Sequence, residues 1–171
     1  CKWDSIIDLP LMWEQLKRII KHNGAIVLMA SEPYTSVLVC SNLRDFKYRW
    51  DWAKNKFTGF LNAKKQPLRQ VEDVCVFYSK QCTYNPQKTQ GHKPVNSYTK
   101  NTSDGETMGK TVIGLSGGGQ TDRFPTNIIK GIPVMNNDGS HGKKVHPTQK
   151  PVPLMEYLIK TYTNEGETVL D

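Results

Sequence analysis

The segment His146-Pro147-Thr148-Gln149-Lys150-Pro151 decides how the rest of the chain is interpreted, together with Glu167-Thr168-Val169-Leu170-Asp171, which closes the sequence. Between the two, apolar residues recur at helical spacing and predict a helix that begins at Pro151. Its predicted inward face holds Val152, Met155, Leu158, Ile159 and Tyr162. Asn164-Glu165-Gly166 predicts the end of the helix, and Thr168 to Asp171 predict the start of a strand. A proline-started helix by itself needs neither His146 nor Lys150, so the preceding turn calls for a functional explanation.

The first 80 residues predict two helices and three strands. The helices are expected at 9–22, with Asp8 as N-cap, and from Ser31-Glu32-Pro33 to about residue 43. The strands are expected at 25–30, which is continuously apolar, at 46–52, where aromatic residues alternate with charged ones, and at 71–79. Helix, strand, helix, strand, loop and strand is the order of an α/β fold, and the last two strands are expected to be antiparallel neighbours.

Residues 80–145 show no durable hydrophobic period. They are rich in Gly, Asn, Thr, Pro and Lys, and 124–134 is the one compact apolar piece. We interpret 80–145 as a recognition insert or a flexible linker between two parts of one catalytic domain, 1–79 and 146–171.

Positive charge is concentrated in the predicted loops. The formal net charge is +7. Residues 54–70 contain five basic side chains and no acidic one, and residues 80–150 contain ten basic and four acidic ones. Two basic loops interleaved with aromatic residues favour a nucleic-acid partner over an ordinary solvated surface.

The sequence indicates neither a membrane-spanning helix nor a metal site. No apolar run approaches the length of about 20 residues that a membrane-spanning helix needs, and no signal peptide is recognisable. The four cysteines, Cys1, Cys40, Cys75 and Cys82, form no Cys-x-x-Cys pair. We therefore expect reduced thiols in a cytoplasmic protein, with Cys75 packed in a strand and no metal site.

The residues from His146 to Pro151, the amphipathic helix and the final Thr168-Val169-Leu170-Asp171 resemble the tail of the beta-group amino-methyltransferases of DNA. In that family a His-Pro-x-x-Lys-Pro turn and a helix lead into the first sheet strand. That strand ends in Asp-Pro-Phe-x-Gly-Ser-Gly, the loop that holds S-adenosylmethionine. Asp171 matches the Asp that opens the loop.

The first half resembles the same family, and phage-type members in particular. Lys2-Trp3-Asp4, the helix after it and Asn23 to Leu28 are similar to the residues that come after the family's catalytic Asp-Pro-Pro-Tyr motif. Trp50-x-Trp52-x-Lys54 and the stretch from Thr58 to Arg69 are also similar. Where members usually have a His-Glu pair, this chain has Val71-Glu72, so no role can be given to that histidine.

The resemblance implies a partial Rossmann-like, S-adenosylmethionine-dependent methyltransferase sheet with an irregular target-recognition insert. It further implies a site-specific enzyme that methylates adenine N6 or cytosine N4 in double-stranded DNA, as in restriction-modification systems, and acts as a monomer or homodimer. Neither Asp-Pro-Pro-Tyr nor the Gly-Ser-Gly loop occurs in these residues. We therefore expect a segment of a longer enzyme, inactive by itself. The alternative is a methyltransferase-derived fragment that binds DNA without catalysis.

The resemblance also implies residue roles. An exocyclic amine must leave the base stack to be methylated, and no covalent nucleophile is needed. The cofactor would contact His146, Thr148, Lys150 and Asp171, and Trp3 would line the base pocket. The sequence would be read through Arg123 and neighbouring lysines of the insert. Phosphates would be contacted by Lys54, Lys56, Lys64, Lys65 and Arg69.

Overall fold

The computed structural model describes residues 5–100, 114–135, 145, 146 and 148–171. Trp3, predicted to line a base pocket, lies outside these residues. The helices are α1 (Leu9–Ile19), α2 (Tyr34–Ser41) and α3 (Val152–Tyr162), and a short 3-10 helix spans Phe60–Asn62. The strands are β1 (Ile26–Ala30), β2 (Phe46–Thr58), β3 (Arg69–Phe77), β4 (Tyr98–Thr99), β5 (Ser116–Gly117) and β6 (Ile128–Ile129).

A mixed four-stranded sheet, in the order β1-β3-β2-β6, organises the larger part of the chain. Strand β3 is antiparallel to both of its neighbours, so β1 and β2 run in the same direction. Strand β6 is parallel to β2. The predicted α/β fold is confirmed, as is the antiparallel pairing of the second and third strands. We call the end of the sheet at which β1 finishes the carboxyl edge; Ala30, Asp51 and Asp73 are aligned there, next to the pair Trp52 and Glu72. Strands β2 and β3 continue beyond this edge as a hairpin, to Thr58 and from Arg69.

Helices cover both faces of the sheet because the inner strand β3 is apolar on both sides. Val74 and Val76 belong to a core under α3, which also contains Trp50, Trp52, Leu154, Leu158 and Tyr162. Cys75 and Phe77 belong to a second core with Leu9, Trp13 and Leu38 of α1 and α2. Alternate residues of a strand point to opposite faces, which explains the division. The predicted burial of Cys75 in a strand is confirmed.

The aromatic face predicted for β2 is interrupted at its first residue. The sequence assigns Phe46, Tyr48, Trp50 and Trp52 to one face, but Phe46 packs against Phe77 in the core under α1 and α2, with ring centroids 5.5 Å apart. A register shift between Phe46 and Tyr48 is the cause, since it adds a residue to the strand and reverses the alternation.

Helix α3 is fastened to β2 by a buried hydroxyl. The Tyr162 hydroxyl accepts a hydrogen bond from Trp50 Nε1 at 2.6 Å and lies 2.9 Å from the Tyr48 hydroxyl. The buried face of the helix consists of Leu154, Leu158, Thr161 and Tyr162. The predicted face was wrong in part: Val152 and Ile159 are exposed. The helix meets the sheet with a face rotated from the one that apolar spacing indicated.

Element ends also differ from prediction. Helix α1 has the predicted N-cap, with Asp8 accepting from the Leu11 amide at 2.9 Å. It ends at Ile19 rather than at residue 22 because the chain turns into β1, with Gly24 N donating to the Lys21 carbonyl. Residues 168–171, predicted as a strand, form none in the structure. Among the described residues, no strand pairs with them, and a single strand has no ladder hydrogen bonds.

Residues 86–125 form a separate compact unit, narrower than the predicted insert of 80–145. Inside this unit, β4 and β5 pair antiparallel, and Thr89 bridges Arg123. Strand β6, which lies within the predicted insert, belongs to the main sheet. Two adjacent isoleucines are too short a run to show a strand period, so the sequence did not reveal it.

Candidate functional site

An acidic residue joins two lysines at the carboxyl edge. Glu72 of β3 accepts from Lys54 Nζ at 3.0 Å through one carboxylate oxygen and from Lys150 Nζ at 2.7 Å through the other. Lys54 lies on β2, two residues beyond Trp52, and Lys150 lies just before α3. The contact therefore draws the polar turn before α3 onto this edge of the sheet.

Electrostatics favour the charged form of this cluster. Burial by itself would raise the pKa of Glu72, but hydrogen bonds and attraction from Lys150 and Lys54 outweigh it and hold that pKa below its usual value. The side chains of Lys54, Glu72 and Lys150 are 8%, 19% and 30% exposed. Lys150 is thus the member of the cluster with the most access to solvent and to a ligand.

Lys54 was predicted to contact phosphates, and the structure gives it an interior position instead. Its side chain follows Trp50 and Trp52 in the same alternation and faces the core under α3, where Glu72 neutralises it. The signal was present in the sequence, because the period of two that buries both tryptophans continues to position 54. From the sequence, Glu72 was noted only as part of the pair Val71-Glu72, which replaces a His-Glu pair of the family, and its bridging role was not predicted.

The turn before α3 is held by its own hydrogen bonds. The Thr148 hydroxyl lies 2.8 Å from His146 Nδ1, Gln149 N donates to the His146 carbonyl at 3.1 Å, and Val145 N donates to Gln149 Oε1 at 2.9 Å. His146 and Thr148 are both exposed residues. Asp171 is exposed as well and takes no part in these three hydrogen bonds.

A second charged cluster occupies the other face of the same edge. Asp73 accepts from the Thr35 hydroxyl at 2.6 Å, which ties α2 to β3. Arg49 Nε lies 3.0 Å from Asp51 and 3.5 Å from Asp73. Arg49 thus balances part of the charge of the two aspartates, and we assign this cluster to the stability of the α2 side rather than to ligand binding.

The basic loop between β2 and β3 leaves the sheet at the carboxyl edge. We call residues 56–69 the hairpin loop, including its flanking strand ends. The predicted phosphate-contacting residues Lys56, Lys64, Lys65 and Arg69 are all exposed. None of the four forms an ion pair with any described residue. The structure therefore brings this group and the turn before α3 to one edge of the sheet.

Arg123, predicted to read bases, lies in the separate unit and is occupied by backbone contacts. Its guanidinium donates to the carbonyl oxygens of Gln120, Asp122 and Lys93, at 2.9, 2.8 and 2.5 Å. Nearby, Lys88 pairs with Asp122 at 2.8 Å and its ammonium lies 4.4 Å from the centre of the Phe124 ring. Arg123 therefore stabilises the backbone of its unit by joining three carbonyl groups through its guanidinium.

Of the three cysteines that the structure describes, Cys75 and Cys82 are buried and Cys40 is exposed. Burial raises the pKa of the Cys75 thiol to about 11, so the thiolate is scarce at neutral pH. Burial also raises the pKa of Cys82. Within the described ranges, no three His, Cys, Asp or Glu side chains converge on a possible metal position.

A hollow in the described surface lies away from this edge. It measures about 490 Å³ and is lined by Lys21, Arg44, Phe77 and Tyr78 among others, at the end of the sheet where β3 finishes. The cluster around Glu72 does not line it. In the described part of the chain, no helix is both long and apolar enough to cross a membrane.

Comparisons were made with individual curated proteins, with solved structures and with family models. No individual curated protein matches the sequence. The crystal structure of the M1.HpyAVI–SAM complex superposes with a TM-score of 0.48 at 18% identity, covering 93% of this chain and 61% of that one. The chain thus spans less than two thirds of the length of this solved relative. A family model described as DNA methylase, of the N6/N4 methyltransferases, matches residues 9–171, and the chain therefore belongs to the DNA methylase family.

Proposed function

We propose that the natural protein transfers a methyl group from S-adenosylmethionine to the exocyclic amine of adenine (N6) or cytosine (N4) in double-stranded DNA. The observation that best supports this is the Lys150–Glu72 contact. It places the turn before α3 at the same sheet edge as the exposed basic hairpin loop. Ligands of open α/β sheets bind beyond the carboxyl ends of the strands, so both groups lie where a cofactor and its substrate would meet.

The residues of the turn suit the methionine end of the cofactor. S-adenosylmethionine supplies an activated methyl group when bound. Lys150 has three donor hydrogens and gives one to Glu72, so it can also donate to a carboxylate while it stays in place. His146, Thr148 and Asp171 are exposed polar residues. We propose these four as cofactor contacts, with Glu72 as the residue that positions Lys150.

We propose that exposed cations of the hairpin loop contact DNA phosphates, namely Lys56, Lys64, Lys65 and Arg69. Lys54 is not among them, because its ammonium is enclosed and paired with Glu72. Base recognition is proposed for residues 86–125, in which Arg123 supports the backbone. The hydrogen bonds that would orient the target amine belong to the family's Asp-Pro-Pro-Tyr motif, which this sequence lacks.

Methyl transfer by the natural full-length protein tests the proposal. Incubation with plasmid DNA and S-adenosylmethionine carrying a tritiated methyl group is expected to label DNA, and digestion should recover the label as N6-methyladenine or N4-methylcytosine. The 171-residue chain alone should give no transfer. Label found only in 5-methylcytosine, RNA or protein would contradict the proposal. DNA binding without transfer would support the inactive DNA-binding alternative.

Reversing the charge of Lys64 and Lys65 tests the DNA side. The double variant Lys64→Glu/Lys65→Glu should bind duplex DNA more weakly, because two phosphate contacts and their released counterions are lost. We expect the slope of log K against log salt to become shallower by about 1.8, or about 0.9 for each contact. Fluorescence anisotropy with a labelled duplex, measured over a series of salt concentrations, provides both quantities.

The matched control is Lys21→Glu/Arg44→Glu, an equal charge change in the hollow at the opposite end of the sheet. It should leave the slope nearly unchanged. An equal loss of slope in both double variants would mean that net charge, and not the hairpin loop, governs binding.

A further inference from the structure

The tip of the hairpin loop presents large apolar side chains to solvent. Leu61 is 102% exposed and Phe60 is 65% exposed, and Leu61 is the most exposed large apolar residue in the described part of the chain. Full exposure of a leucine forgoes the roughly 2 kcal/mol that burial would provide, so its partner is expected to be another molecule.

The backbone conformation of the tip is fixed by hydrogen bonds, although its apolar side chains are exposed to solvent. Gly59 has φ +93° with open space around it, a conformation that favours glycine. The 3-10 helix Phe60–Asn62 follows, and Asn62 N and Ala63 N donate to the carbonyls of Gly59 and Phe60 at 2.9 and 3.1 Å. Lys65 N and Gln66 N both donate to the Asn62 carbonyl. A tip fixed by these backbone hydrogen bonds presents its apolar side chains without a large ordering cost on binding.

The charge along the hairpin loop favours duplex DNA as the partner. Lys56, Lys64, Lys65 and Arg69 flank the apolar pair along the chain and are exposed, and none forms an ion pair with a described residue. Residues 54–70 contain no acid. An apolar protein partner would leave these four cations beside its own surface, whereas two phosphate strands would neutralise them. Apolar side chains flanked by phosphate-binding cations are the arrangement by which proteins enter between base pairs.

We propose that Leu61, supported by Phe60, is a wedge that enters the duplex and unstacks the base step beside the target nucleotide. This inference rests on the proposed function and adds the residue that opens the helix. The hairpin loop would hold both backbones through its cations while Leu61 occupies the space left by the displaced base. A few kcal/mol of unstacking are thereby offset by apolar contact at the tip.

Permanganate, which oxidises thymines only where they are unstacked, tests the wedge without reference to methylation. Natural full-length protein bound to plasmid DNA is expected to produce hyperreactive thymines. Leu61→Ala should reduce their reactivity at least about tenfold, as loss of a few kcal/mol of unstacking requires, while duplex affinity changes by less than about threefold. Leu43→Ala, a leucine that is 67% exposed at the other end of β2, should behave as the unsubstituted protein does.

Methyl-transfer rates then show whether Leu61→Ala impairs the opening of the duplex or another step. On a duplex in which the target base faces an abasic site, the base is already unpaired, so Leu61→Ala should recover a transfer rate within about threefold of the unsubstituted protein. Unchanged thymine reactivity in Leu61→Ala, or none in either protein, would overturn the wedge. So would an equal rate loss on paired and abasic duplexes. Wedge-dependent thymine reactivity without any methyl transfer would overturn the proposed function and leave the wedge standing.

Discussion

Replacing Glu72 by alanine is expected to lower the free energy of unfolding of this chain by about 3 kcal/mol. The substitution leaves the ammonium of Lys54, 8% exposed, inside the core face without its counterion, and it frees Lys150 from the sheet. Removing one partner of a buried ion pair costs about 3 to 5 kcal/mol, and the 19% exposure of Glu72 places the effect at the lower end. Urea unfolding followed by tryptophan fluorescence measures the change.

Two companion variants separate charge from packing. The double variant Lys54→Met/Glu72→Leu removes both enclosed charges and should recover most of the lost stability, because apolar replacements of buried pairs are often neutral. Glu156→Ala breaks an exposed pair with Lys160 on α3 and should change stability by less than about 0.5 kcal/mol. A double variant as unstable as Glu72→Ala would show that lost packing, and not the unpaired ammonium, is the cause.

Acid should act on the same cluster in a definite direction. The pKa of Glu72 is lowered in the folded state, so its contribution is fully present above the ordinary glutamate value of 4.5. It is lost as pH falls from there through the lowered folded pKa. Glu72→Gln should therefore lose less stability than the unsubstituted chain as the pH falls below 4.5. Parallel curves of unfolding free energy against pH would rule out a linked proton at this position.

Leu154→Ala is expected to be similarly damaging, at about 3 kcal/mol, for a different reason. Leu154 is fully buried between α3 and the sheet, and deleting its methyl groups loses transfer free energy and leaves a cavity. Ile159→Ala, on the same helix but 41% exposed, should cost less than about 1 kcal/mol. Guanidinium midpoints of the two variants provide the comparison, and similar losses would contradict the observed orientation of α3.

Several tertiary features had no counterpart in the sequence. The order of turn, helix and strand predicted the α/β class because apolar periodicity is a local property of each segment. The bulge at Phe46 was hidden because a strand's alternation does not reveal an added residue until its partner is known. The helix α3 face was misplaced for a related reason: its apolar positions encircle most of the helix, and only the sheet selects which are covered.

The candidate site divides in the same way. Exposed cations in a stretch without acids were recognisable from composition, and Lys56, Lys64, Lys65 and Arg69 are on the surface as expected. Lys54 is close to these four cations in sequence but not in space. The alternation of β2 turns its side chain toward the core under α3, where it pairs with Glu72 of β3. From the sequence, Leu61 was noted only as part of the stretch from Thr58 to Arg69 that resembles phage-type members, and its exposure was not predicted.

By itself, the sequence determined the three helices and the first three strands, the place where positive charge accumulates, and the motif that precedes the last helix. These features depend on neighbours along the chain. Only the tertiary structure decided that Glu72 joins Lys54 and Lys150, that β6 extends the sheet, and that Leu61 stands uncovered at a basic tip. These depend on strand register and helix rotation, which are set by contacts between residues distant in sequence.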